Sequence, residues 1–159
     1  MRPVLAAIFA ALAPRVLPTE PVDCGFRVMP WDVGIATFKS DRYFTVADLA
    51  QVDFAIRTGL VGPFLRSGIR WVSLAESARF ERPLRLFQRY TVTTRVVCAD
   101  DKHAYFSHRF TSARGTHAEV LVKMKFKKGS LTVRPAELLH EQPSDKTKAI
   151  LALDSLGAP

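Results

Sequence analysis

Cysteine is almost missing from this chain: Cys24 and Cys98 stand far apart among 159 residues. They form no CxxC spacing and join no cysteine/histidine cluster, which argues against a zinc site and a disulfide scaffold and makes a reducing cytoplasm the default compartment. His103, His108 and His117 are scattered, without metal-ligand spacing or a Ser or Cys partner, so no metal and no cofactor is expected and the three read as structural. Long apolar runs are also lacking. Val4–Ala13 (VLAAIFAALA) falls far short of the ~20 residues of a membrane span. Its readings, in order, are a short helix packed on the body or on a partner subunit, a peripheral membrane contact through residues 1–15, and a weak signal peptide ending at Ala11-Leu12-Ala13. There is no internal repeat and no low-complexity segment. Acidic residues are in deficit, 15 against 23 Lys and Arg, giving +8 and a pI near 9.9. That balance suits an anionic ligand, a nucleic acid or an acidic membrane surface. Nucleic acid is disfavoured, because the basic residues are not interleaved with an exposed aromatic platform.

What is present is enough apolar content, 48 %, for one ordinary core. The chain divides into an apolar segment (1–22), a folded domain (23–135) and a tail (136–159) carrying a short helix over Ser144–Leu156 capped by Ser144. Asp23–Met29 reads as a first strand ended by Pro30. A helix follows, starting at Ser40 or Asp41, either of which could cap it, and running to about Thr58 before Gly59. It is apolar around most of its circumference, with Asp41, Thr45 and Asp48 forming a narrow polar stripe. Such a helix must be wrapped by something.

The second half supplies the wrapper. After a short helix at Leu60–Arg66, strands are expected from Arg70 to Phe80, Gln88–Ala99, His103–Ser112, His117–Lys127 and Ser130–Arg134. Tight turns at Asp100-Asp101, Arg114-Gly115 and Lys128-Gly129 make neighbours antiparallel. Tyr90, Val92, Thr94 and Val96 alternate with Thr91, Thr93, Arg95 and Val97, and Val122, Met124 and Phe126 with Lys123, Lys125 and Lys127, giving one dry and one wet face.

Pro30-Trp31-Asp32, the Asp41-Arg42-Tyr43-Phe44 helix start, the Ala78-Arg79-Phe80-Glu81-Arg82-Pro83-Leu84-Arg85-Leu86 segment and the order of strands resemble the acyl-CoA thioesterases of the 4-hydroxybenzoyl-CoA thioesterase type, over roughly Gly25–Arg134. The resemblance implies an α+β hotdog fold, an antiparallel sheet wrapped around a long central helix, and a homodimer or dimer of dimers with sites at the subunit interface. It implies thioester hydrolysis of acyl-CoA or an acyl-carrier-protein substrate. A carboxylate would activate water or attack the carbonyl, the helix N-terminus would polarise the thioester oxygen, and basic residues would hold phosphate. The usual His-x-Asn-Asn segment is absent: Thr37-Phe38-Lys39-Ser40-Asp41 stands there. Gly34 occupies the common Asp position in one alignment and Asp32 in the other.

The catalytic candidates are therefore Asp32, Asp48 and Asp41, and the substrate-binding candidates Gly34, Lys39, Ser40, Tyr43, Glu76, Arg79 and Arg82. Each carries a plainer alternative: a turn Asp bonding its own backbone for Asp32, a helix cap for Asp41, a solvent-facing or dimer-bonded residue for Asp48, an outward strand residue for Glu76. Asp53 and Arg57 read as a surface ion pair, and the lysines of the Lys123–Lys128 run as phosphate ligands or guards of a sheet edge. The rival to an enzyme is a noncatalytic acyl-CoA or acyl-carrier-protein binding protein of the same fold.

Overall fold

The computed structural model describes residues 14–139 and 146–156; the apolar run Val4–Ala13 and the Ser144 cap lie outside them. In chain order the elements are β1 (Val22–Arg27), a 3-10 turn at Pro30–Asp32, α1 (Ser40–Arg57), α2 (Val61–Ser67), β2 (Ile69–Phe80), β3 (Arg89–Ala99), β4 (Ala104–Ser112), β5 (Gly115–Lys128), β6 (Leu131–Val133), α3 (Ala136–Leu139) and α4 (Lys148–Leu156). All strand pairs are antiparallel, in the order β1-β3-β4-β5-β2, with β6 on β5. The chain is an α+β hotdog: one curled sheet holding α1 against its concave face.

Alternation explains the packing. Val92, Phe106, Phe110, Val120, Val122, Met124 and Phe126 point from the sheet towards α1, which answers with Tyr43, Val46, Ala47, Ala50, Phe54 and Ala55, all buried. Phe54 meets Phe106 edge to face at 5.6 Å. Burying Val46 and Phe54 contributes roughly 1.5–3 kcal/mol each, and the three alanines let α1 approach the sheet closely. α1 ends at Thr58, and Gly59 takes the left-handed φ of 76° that a side chain would oppose.

Two buried histidines serve this core. His108 Nδ1 lies 3.0 Å from the Thr94 hydroxyl and its Nε2 3.2 Å from Gln51 Oε1, which ties the sheet to α1. Burial holds its imidazole down at about 3, so the ring is neutral. His117 Nδ1 reaches Arg82 O (3.1 Å), and its Nε2 the Ser112 hydroxyl (2.7 Å), pinning the β2–β3 connection. Burial also pushes the Cys24 thiol up to about 12 and Cys98 to about 11, which keeps both protonated and unreactive.

Three expectations change. β5 is flanked by β4 and β2, so its lysines guard no edge; Lys123 is buried and pairs with Asp154 of α4 at 2.9 Å. The outer face is not uniformly wet, because α4 covers part of it, setting Ile150 and Leu153 on Cys98 and Tyr105. Asp53 and Arg57 do pair, at 3.8 Å, but Asp53 is only 6 % exposed, and burial raises its carboxyl against the lowering effect of Arg57. Among the described residues no helix is long and apolar enough to cross a membrane, and no group of three or more His, Cys, Asp or Glu is placed to hold a metal ion.

Candidate active site

The chain leaves β1 and folds over Asp32. That carboxylate is 1 % exposed; its Oδ2 accepts the Met29 N–H at 2.9 Å, and the Asp32 carbonyl accepts the Lys39 N–H at 3.0 Å. Asp32 thus closes the loop between β1 and α1. Within the loop Val33 bridges Phe38, Gly34 N–H donates to Thr37 O (2.8 Å), and Phe38 N–H to Leu84 O (3.1 Å). Gly34 sits at the tip of this small hairpin, and Thr37 bridges Arg85 of the β2–β3 connection. These bonds aim the start of α1.

The helix begins without a side-chain cap. Lys39, extended at φ −69° and ψ 144°, is the N-cap residue and forms no side-chain cap bond; its backbone accepts the Arg42 N–H at 3.1 Å. Neither Ser40 nor Asp41 caps, contrary to expectation, because both already lie inside the first turn. Asp41 is exposed, 3.9 Å from Arg42, with its carbonyl accepting the Thr45 hydroxyl. The first-turn N–H groups of Ser40 and Asp41 lack intrahelical partners by the geometry of a helix. They carry the positive end of an 18-residue helix.

Ser40 lines a cleft of about 300 Å³ together with Phe38, Tyr43, Phe80, Arg82 and Pro83. Its wall is aromatic: Tyr43 meets Phe38 at 4.7 Å, Phe80 at 5.0 Å and Phe110 at 5.1 Å. The Tyr43 hydroxyl accepts the Leu84 N–H at 3.4 Å, and burial raises its pKa, so it stays a neutral phenol. The Arg82 guanidinium bonds the Arg114 carbonyl, which fixes it at the rim.

Two carboxylates lie further from the cleft, Asp48 on α1 and Glu76 on β2. A bulge between Ser73 and Ala75 changes the parity of β2. Before it Ile69, Trp71 and Ser73 face α1; after it Glu76, Ala78 and Phe80 do, opposite the inward Val122, Val120 and Ala118. Glu76 is therefore on the helix side, not the outer side. Desolvation raises its carboxyl above the usual range, and the negative charge of Asp48 raises it further. Asp48, on the open stripe of α1, is raised by desolvation too. Neither carboxylate has an ion-pair partner among the described residues. Asp48 lies eight residues beyond Ser40, about 12 Å along the helix axis.

The structure thus brings Ser40, Tyr43 and Arg82 to one cleft and Asp48 and Glu76 within electrostatic reach of each other on the helix side of the sheet, while Asp32 and Gly34 support the loop. Arg79 is turned to the outer face, 78 % exposed, and bonds Glu81 at 2.6 Å. Phe38, Phe80 and Pro83 of the cleft were not read as site residues. Phe80 and Pro83 lie within the FERPL segment, but only the bulge decides that Phe80 points inward.

A family model described as the thioesterase-like superfamily matches residues 28–140. Protein THEM6 of Xenopus laevis is 31 % identical over 88 residues, which are 55 % of this chain and 42 % of that protein. A probable thioesterase of Saccharomyces cerevisiae is 36 % identical over 63 residues, 38 % of this chain and 27 % of that protein. The matches thus span less than half the length of these curated relatives. Among solved structures, a Staphylococcus aureus protein in complex with CoA superposes with a TM-score of 0.67 at 15 % identity, covering 87 % of this chain and 96 % of that one, a likeness of fold. With its family model matched from Val28 onward, on an observed hotdog fold, this chain belongs to the thioesterase-like superfamily.

Proposed function

We propose that this protein is an acyl-CoA thioesterase that works as a homodimer, with the α1 N-terminus as oxyanion site and Asp48 as the carboxylate. The observation that carries the reading is the uncapped start of α1 beside an aromatic cleft, with a carboxylate of raised pKa, unpaired among the described residues, further along the same helix. Donors fixed before the reaction stabilise the charge that develops on a thioester oxygen without reorganising. A carboxylate of raised pKa is a better base towards water than an ordinary one. Asp32 is a poor base by comparison, since its carboxylate is committed to the Met29 N–H inside the fold.

About 12 Å separates Ser40 from Asp48 within one chain, too far for both to act on one carbonyl. A two-fold dimer removes the difficulty. β2 is an edge strand of twelve residues carrying exposed Val72, Leu74 and Phe80, and the stripe of α1 beside it is uncovered at Asp41, Thr45, Asp48 and Val52. Pairing two β2 edges would run the two α1 helices antiparallel, so that Asp48 of the partner subunit approaches the Ser40 end of its mate. The neighbour solved with CoA supports the ligand class. Water attack on the carbonyl carbon, with its proton taken by the Asp48 carboxylate, gives a tetrahedral oxyanion held by the helix N–H groups. Collapse expels the CoA thiolate, which regains the proton.

Mixing two inactive variants tests this directly. Asp48→Asn and Ser40→Pro chains, refolded together, should regain turnover that neither has alone, because half the sites of a heterodimer combine intact parts. No recovery in mixed dimers shown to have formed would place both parts in one chain and remove the shared site. The second reading, a noncatalytic acyl-CoA binder, is favoured by the structural role of Asp32. Acyl-CoA binding without release of free thiol would select it.

A further inference from the structure

Positive charge is concentrated at the end of the molecule where β2 begins, β5 ends and β6 starts. Residues 60–75 and 120–136 contain no Asp or Glu. Within them Arg66, Arg70, Lys125, Lys127, Lys128 and Arg134 have no carboxylate partner among the described residues. The strand register gathers these cations. Arg70 stands directly opposite Lys127 on the outer face, and Lys125 lies two residues along β5 on the same face, opposite Val72. Like charges directly opposite each other destabilise a strand pair, a cost that a bound anion removes. On the next row of that face Lys123 is matched by Asp154 of α4, so the excess begins beyond it. Lys128 ends β5 opposite Leu131, which begins β6 and is 71 % exposed. On α2, which leads into β2, Leu65 is 79 % exposed and Arg66 is exposed beside it. Leu65 also lines a hollow of about 660 Å³ with Val61, Phe64, Ile69, Trp71 and Arg70.

We propose that this end of the sheet is a docking surface for an anionic lipid bilayer. The unmatched cations select a negatively charged partner, and the exposed leucines with the apolar hollow select a bilayer. A membrane surface offers anionic headgroups with an apolar layer beneath them, whereas a nucleic acid offers the charge without that layer. Each Lys or Arg within a Debye length of such a surface adds to the attraction, and Leu65 and Leu131 would enter below the headgroups. The outer face is not the edge by which two β2 strands would pair. Docking there neither requires nor blocks the dimer, and it is independent of the acyl-CoA reading.

The test sediments the full chain with vesicles of phosphatidylcholine and with vesicles of an equal mixture of phosphatidylcholine and phosphatidylglycerol. Wild type should partition onto the mixed vesicles in preference to the neutral ones and be released by salt. Arg70→Gln/Lys127→Gln should weaken that partitioning about thirtyfold, about fivefold for each cation removed. Leu65→Ser/Leu131→Ser, which keeps every charge, should weaken it as well. Arg89→Gln/Arg95→Gln removes the same charge from exposed positions elsewhere on β3 and should partition as wild type does. Circular dichroism checks that each variant is folded. Partitioning equal in wild type and Arg70→Gln/Lys127→Gln, or an equal loss in Arg89→Gln/Arg95→Gln, overturns the surface. Sedimentation with both kinds of vesicle alike, untouched by the substitutions, places any membrane contact in another part of the chain and overturns it too. So does binding to a DNA oligonucleotide or an acidic protein with none to the mixed vesicles.

Discussion

Under α4, on the outer face of the sheet, Lys146 Nζ touches Asp154 (2.7 Å), Asp100 (2.9 Å) and the Tyr105 hydroxyl (2.9 Å) at once, and Tyr105 and Lys123 reach Asp154 at 2.6 and 2.9 Å. On the helix side of the same sheet, Asp48 and Glu76 lie within electrostatic reach of each other, and neither has an ion-pair partner among the described residues. The first cluster has its charges balanced, and its hydrogen bonds hold Asp154 well below the usual carboxylate range and Asp100 down at about 2, in both cases against desolvation. The second is pushed the opposite way by desolvation and like charge. Balanced groups of depressed pKa hold a fold together, whereas a raised, unmatched carboxylate costs stability and gives a base. On the proposed function, the contrast separates the part of this molecule that fastens α4 from the part that would supply the base.

The largest effect is expected at Asp48. Asp48→Asn should lower kcat for acyl-CoA by about 10²–10⁴, the range for losing a positioned base, with Tm unchanged or slightly higher, read by thiol release and thermal unfolding. Ser40→Pro comes next. It removes one first-turn N–H, while proline is tolerated at the first helical position and Lys39 already has the extended conformation that precedes proline. Turnover should fall about 10²–10³ with the helix intact by circular dichroism.

On the other side of the comparison, Asp154→Asn should destabilise the fold by about 2 kcal/mol in urea unfolding. That is below the figure for a fully buried pair because Asp154 is 24 % exposed, and turnover should be unchanged. The two clusters also respond oppositely to pH. Asp100 and Asp154 have folded pKa values below their unfolded ones, so their contribution is complete above the ordinary carboxylate range and is lost as pH falls towards about 2. Asp48 and Glu76 have raised folded values, so stability falls as pH rises through them while the base becomes active. The acid limb of the kcat profile should therefore lie above the ordinary carboxylate range. The smallest effect is electrostatic: Asp48→Asn should lower the Glu76 pKa, read by carboxyl NMR, since the Asp48 charge is one of its two causes.

Much of the fold was legible because its signals are local. Period-two alternation in Tyr90–Val96 and Val122–Phe126 and the turns at Asp100-Asp101 and Arg114-Gly115 describe the meander, and the apolar circumference of Ser40–Thr58 announces a wrapped helix. The site was less legible because it depends on non-local geometry. One extra residue in β2 turns Glu76 and Phe80 inward, and alternation read in a single register from Ile69 places them outward. Asp32 reads equally as a base or as a turn residue bonding its own backbone, and only the Lys39 and Leu84 contacts that fold the loop show how deeply it is enclosed. Lys123 and Asp154 lie 31 positions apart, and nothing in either neighbourhood announces their pairing.

The most direct test sets the two clusters side by side: kcat for one acyl-CoA and Tm, measured in wild type, Asp48→Asn and Asp154→Asn. The account predicts a crossed pattern, with Asp48→Asn losing turnover and keeping Tm, and Asp154→Asn losing Tm and keeping turnover. Full turnover in Asp48→Asn would contradict the assignment of Asp48 as the working carboxylate.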